Sequence, residues 1–176
     1  VLLVGHSMGG VKAIYSQVVA PDPRVSGIVC LSPPRFCHEY WMQHSDAEPF
    51  RRTFEHAMQL VSKGHPNELI VCRQPVPFVA TAQGFIEKYG PSDSFDIIKL
   101  VPRVPCPVLT LIGSHTIAAS PAFDSLPGEL TRIAEKCPHL TLQIIDGADM
   151  SYSQCPDGPL ASINNWLASR DAEPRM

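Results

Sequence analysis

The sequence predicts an α/β fold, a parallel sheet covered on both faces by helices, and three observations carry the prediction. Short, fully apolar runs recur along the 176 residues, amphipathic stretches of helical period separate them, and prolines or glycines mark the joins. At 44% hydrophobic and 18% charged residues, with a formal net charge of -3, the composition is that of an ordinary soluble domain.

Residues 1–4 are the first apolar run and break directly into Gly5-His6-Ser7-Met8-Gly9. Residues 11–19 are helix-compatible, and Pro21-Asp22-Pro23 ends that helix. Residues 25–31 form the next strand, closed by Ser32-Pro33-Pro34. From residue 36 to about residue 100 the pattern changes, with aromatics, charges and prolines intermixed, and the segment reads as an inserted cap or lid. Its best helix carries the stripe Phe50, Phe54, Ala57, Met58, Val61, and a second helix is expected over residues 78–89, stopped by Gly90-Pro91. Regular alternation then returns, with a strand over 108–112, a helix over 126–137, a strand over 140–145 and a closing helix over 160–167. The last two helices carry the stripes Leu126, Leu130, Ile133, Ala134, Cys137 and Leu160, Ile163, Trp166, Leu167. Residues 168–176 read as a frayed tail. The 18 prolines fit long connections rather than a continuous bundle, and there are no internal repeats.

The segment at Ser7 matches G-x-S-x-G, the nucleophile elbow. A serine on a sharp strand-to-helix turn needs glycines two before and two after it, where a Cβ would meet neighbouring backbone. Its position at a helix start also aims the Met8 amide toward an oxyanion formed on an attacked carbonyl. The alternative, a glycine-rich turn that holds a serine by chance, lacks the context seen here, with apolar residues before and a helix after.

Other chemistries find less support. No run of about 18 apolar residues exists, so no membrane span is expected, and scattered Lys and Arg leave no nucleic-acid footprint. The six cysteines show neither a C-x-x-C pair nor zinc-ligand spacing and read as mostly buried thiols in a reducing compartment, which points to the cytoplasm. His38, His44, His56, His65 and His139 have no ligand-spaced partner, so neither a metal nor another cofactor is expected. The aromatics Phe36, Tyr40, Trp41, Phe50 and Phe54 either line an apolar acyl pocket or pack the cap, and packing is the commoner use. The sequence starts within a strand and without an initiator methionine, which reads as a fragment.

These features resemble the α/β-hydrolase superfamily along the whole chain, within its esterase- and lipase-like part. Beside the elbow, the segment ending Val108-Leu109-Thr110-Leu111-Ile112-Gly113 is similar to the family's P-V-L-x-I-x-G strand, and Ile145-Asp146-Gly147-Ala148-Asp149-Met150 to the segment that carries its histidine. The resemblance implies roughly the last four strands of an eight-stranded sheet with a helical cap over 36–100, one domain lacking its N-terminal strands. It implies that one edge of residues 1–4 lies unpaired, an arrangement that invites association. It also implies that a second oxyanion donor lies outside this sequence.

The resemblance further implies an acid at position 116 and a base at position 150, which are Thr116 and Met150 here. A hydroxyl cannot supply the acid's charge, and a thioether cannot take a serine proton. Losing triad members elsewhere lowers turnover on the order of 10⁴ to 10⁶. His115 and Asp149 stand one residue before those positions, so an arrangement with base and acid exchanged is conceivable. Alternatively His115 is a surface residue and Asp149 caps a turn. His6 is expected to pack or hydrogen-bond locally rather than serve as the base.

Two functions are compatible with these residues. One is a serine hydrolase for a small carboxylic-ester or related acyl substrate, with Ser7 as nucleophile and the Met8 amide as oxyanion donor. The other is a catalytically inactive homologue that keeps the site for binding.

Overall fold

The structure, a computed structural model, describes residues 1–172. In chain order the elements are β1 (Leu2–His6), α1 (Met8–Val19), β2 (Gly27–Leu31), α2 (His38–Gln43), α3 (Glu48–Ser62), β3 (Leu69–Cys72), β4 (Phe78–Thr81), α4 (Ala82–Tyr89), α5 (Ile97–Leu100), β5 (Val108–Gly113), α6 (Ser114–Ala119), α7 (Leu126–Ala134), β6 (Leu140–Ile145) and α8 (Asp157–Ala172). They form two compact units. One comprises Val1–Arg35 and the chain from Ile97 onward, and the other is Phe36–Asp96.

The first unit holds a four-stranded parallel sheet in the order β1-β2-β5-β6. Strand β5 is buried along its whole length, which is why Val108–Gly113 reads as one apolar run instead of alternating. Its neighbour β2 separates the faces. Val29 joins Leu109, Leu111 and Trp166 of α8 in one core, with Leu2, Leu31, Ile145, Ile163 and Leu167 packed around them. Toward the opposite face, a Cβ on Gly10 of α1 would stand 3.2 Å from that of Cys30, so glycine lets helix and strand close up. Burial pushes the Cys30 thiol far above its ordinary range, an inert packing cysteine. All six cysteines are free, four of them buried. Among the described residues, strand β1 pairs only with β2, and Val1 and Val4 are exposed at this sheet edge.

The second unit differs from the sequence expectation. Residues 78–89 are not one helix. Phe78–Thr81 pair antiparallel with Leu69–Cys72, a strand the sequence reading does not contain, and the helix begins only at Ala82. Thr81 sets that boundary, because its hydroxyl accepts the Gly84 amide at 3.0 Å as an N-cap. The unit ends at Asp96 rather than near residue 100, because α5 lies against α1 and α7 of the sheet unit. Phe50, Trp41, Phe85 and Tyr89 are fully buried within it, and Phe50 packs against all three others.

Smaller corrections concern helix limits and faces. Helix α1 begins at Met8, three residues early, and α7 ends at Ala134 before a turn that contains Cys137. Met58 and Leu160, assigned to buried stripes, are 48% and 58% exposed. Helix α8 runs from Asp157 to Ala172, so the first part of the tail expected to fray is helical, and residues 173–176 lie outside the described residues.

Candidate active site

In open α/β sheets ligands collect beyond the carboxyl ends of the strands. Four segments meet that description here: Ser7 after β1, Ser32 after β2, Ser114 to Thr116 after β5, and Asp146 to Tyr152 after β6.

Ser7 takes φ 53° and ψ -125°, a conformation that L residues rarely adopt. Two hydrogen bonds hold it there: its amide donates to the Leu31 carbonyl at 2.7 Å, and its carbonyl accepts the Gly10 amide at 3.0 Å. Gly5 is required sterically, since a Cβ would lie 2.3 Å from the Gly9 carbonyl carbon and 2.4 Å from the Gly10 nitrogen. Gly9 is not required in the expected way, because a Cβ there meets nothing within 4 Å. The crowding in this turn thus falls on Gly5 and, more mildly, on Gly10. The half-buried Ser7 hydroxyl has no hydrogen-bond partner among the described residues, and Met8 sits in the first turn of α1, where amides have no intrahelical acceptor.

The β6 side is organised differently. His6, which the sequence reading gives a local partner, instead reaches 144 positions along the chain: its Nε2 donates to the Met150 carbonyl at 2.8 Å. The fully buried Ser32 hydroxyl donates to the Tyr152 phenol oxygen at 2.9 Å, with the Met150 carbonyl 3.3 Å away as a second acceptor. The phenol donates onward to the Leu111 carbonyl at 2.9 Å, and burial pushes Tyr152 above its ordinary range. Ser114 joins the β5 and β6 ends, donating to the Asp146 carboxylate at 3.1 Å while accepting the Gly147 amide at 2.9 Å.

The remaining sequence-predicted residues make no side-chain hydrogen bond to Ser7 among the described residues. Thr116 is 4% exposed and its hydroxyl lacks a hydrogen-bond partner among the described residues. His115 is exposed on α6, tied by its own amide to the Ala148 carbonyl. Asp149 accepts the Ser153 amide at 2.9 Å and the Ser151 amide at 3.0 Å, bonds that hold its carboxyl below the ordinary 3.8. No hydrogen bond or ion pair joins Ser7, His115 and Asp149 to one another among the described residues.

Sequence reasoning missed Ser32, Ser114, Asp146 and Tyr152. The available signal was position, as three of these residues directly follow strands and Tyr152 lies seven residues beyond β6. In the second unit, Cys37, Asp93 and Asp96 are buried with ligand atoms within 4.8 Å of one another, a set that searching for histidine spacing overlooks. The Asp93 carboxylate there accepts the His38 amide at 2.6 Å. No helix among the described residues is long and apolar enough to cross a membrane.

No family model and no curated protein matches the chain. Solved structures do. A monoacylglycerol lipase of Paleococcus ferrophilus aligns with a TM-score of 0.61 at 19% identity, over 96% of this chain and 68% of the lipase. An esterase of Pyrococcus furiosus aligns with a TM-score of 0.52 at 14% identity, over 96% of this chain and 53% of the esterase. A peroxisomal alpha-beta-hydrolase of Saccharomyces cerevisiae aligns with a TM-score of 0.52 at 16% identity, over 99% and 56% respectively. The chain spans about half to two thirds of these proteins, and the likeness is one of fold.

Proposed function

We propose that this chain, whose fold is that of the α/β-hydrolases, is the nucleophile-bearing part of a serine hydrolase that cleaves a carboxylic ester or related acyl bond in a small molecule. The observation that carries the reading is the strained Ser7 conformation between a parallel strand and a helix, with Gly5 packed so closely that only glycine fits. Strain of this kind persists only where the surrounding structure enforces it, and it clusters at active sites. The Ser7 hydroxyl would add to the substrate carbonyl carbon, the Met8 amide would hydrogen-bond the resulting oxyanion, and collapse would expel the alcohol and leave an acyl-serine for water to hydrolyse.

Deprotonation of Ser7 is the weak step. With threonine and methionine at positions 116 and 150, attack depends on slower proton loss to solvent or to a group outside this chain, at a cost on the order of 10⁴ in rate. The second reading, a site kept for binding without turnover, draws on the same two positions and on the β6 loop. That loop's Met150 carbonyl is occupied by His6, and its Asp149 carboxylate caps a turn.

Intact-mass detection of a fluorophosphonate adduct on the longest natural form of the protein, with Ser7→Ala as control, separates the two. An adduct that disappears in the control supports the hydrolase. A folded protein that stays unlabelled after prolonged exposure overturns it in favour of the binding reading.

A further inference from the structure

In the second unit, the outer face of the β3–β4 hairpin is apolar and open. Leu69 and Val71 point away from the buried Ile70 and Cys72, and Val79 stands directly across from Val71 on the same face. These three side chains are 68%, 72% and 61% exposed. At the end of this strip, Val71 and Arg73 form one wall of a groove of about 450 Å³. The other wall is the start of α3, with Glu48, Pro49, Arg52 and Thr53. The volume lies in the range of small-molecule sites.

The charges in the groove are unbalanced. Glu48 is engaged by Arg52, whose Nε lies 2.7 Å from its carboxylate, and both side chains are mostly exposed, a pair of the weak and exchangeable kind. Arg73 has neither an ion-pair nor a hydrogen-bond partner among the described residues. The Thr53 hydroxyl is spent on the Pro49 carbonyl, so the free donors facing the groove are guanidinium groups.

We propose that this groove binds an anionic amphiphile, with its carboxylate head between Arg73 and Arg52 and its aliphatic tail along Val71, Val79 and Leu69. A guanidinium fork matches a carboxylate through two parallel hydrogen bonds, and the exposed valines and leucine gain by covering a hydrocarbon chain. The occupant is a single molecule, because a flat bilayer would leave the concavity unfilled. Binding here does not depend on Ser7 acting as a nucleophile.

The test is calorimetric titration of the intact chain with octanoate, octanol and acetate, repeated on Arg73→Gln and Ser7→Ala, with circular dichroism to verify folding. Octanoate is expected to bind saturably, with octanol and acetate each weaker by about tenfold or more, since head and tail both contribute. Arg73→Gln should weaken octanoate by about tenfold and Ser7→Ala should leave it unchanged. Equal binding of octanoate and octanol, indifference to Arg73→Gln, or no saturation below about 10 mM would overturn the proposal. Association with anionic phospholipid vesicles without binding of octanoate would also overturn it, and would make the strip a membrane contact.

Discussion

The turn after β1 and the loop after β6 both follow the carboxyl ends of strands in one parallel sheet, yet they are built by different means. The first is specified by backbone: Ser7 is forced to φ 53° by hydrogen bonds to Leu31 and Gly10 and by glycine packing at Gly5. The second is specified by side chains, with Asp149, Ser32, Tyr152 and His6 each holding part of the loop. A nucleophile's geometry that resides in the main chain cannot be lost piecemeal, because its loss disturbs the strand-to-helix junction. A base is one side chain, and replacing it leaves the fold intact. This explains how a strained serine coexists with methionine and threonine at the positions where the superfamily resemblance implies a base and an acid.

The sharpest way to break the comparison is at the glycines. Gly5→Ala should destabilise by about 3 kcal/mol or more, because the added carbon meets backbone rather than a movable side chain. Gly9→Ala, with open space around its Cβ and a helical position, should be neutral or stabilising by about 0.5 to 1 kcal/mol. Urea denaturation of both variants decides, and equal damage would show that the turn is not specified by crowding at Gly5.

Rebuilding the β6 side comes next. Combining Thr116→Asp with Met150→His should raise the rate of fluorophosphonate labelling at Ser7 by about tenfold or more while circular dichroism stays unchanged. Unaltered labelling in a folded double variant would mean that the turn holds Ser7 but that the β6 loop no longer presents residue 150 to it.

The smallest effect concerns Asp149. Its carboxyl is held below 3.8 in the folded chain, so its contribution is fully present above 3.8 and is lost as pH falls through the lower folded value. Asp149→Asn should therefore lower the melting temperature slightly at pH 7, and the difference from the parent should shrink below pH 3.8. A difference that persists at acid pH would assign the effect to packing rather than to charge on the capping carboxylate.

Legibility in the sequence followed the length scale of the cause. The strand and helix alternation of the first unit was readable because burial on both faces imposes apolar runs such as Val108–Gly113 locally. The β3–β4 hairpin was not, since Phe78–Thr81 is compatible with a helix until Leu69–Cys72 pairs with it and Thr81 caps the helix that starts at Ala82. Met58 and Leu160 satisfied helical stripes and still ended up exposed, because periodicity marks a face but not whether anything covers it.

By itself, then, the sequence determined the α/β class, the place of Ser7 between strand and helix, and the absence of a histidine at position 150. These rest on local sterics, local periodicity and residue identity. Only the tertiary structure decided that Gly5 rather than Gly9 bears the crowding, that His6 bonds the Met150 carbonyl, that Asp149 caps a turn, and that Arg73 and Arg52 share a groove. The His6 bond and the shared groove depend on which distant segments meet, His6 and Met150 lying 144 positions apart, while the outcomes at Gly5 and Asp149 are local contacts set by the exact path of the backbone, which residue identity alone does not fix.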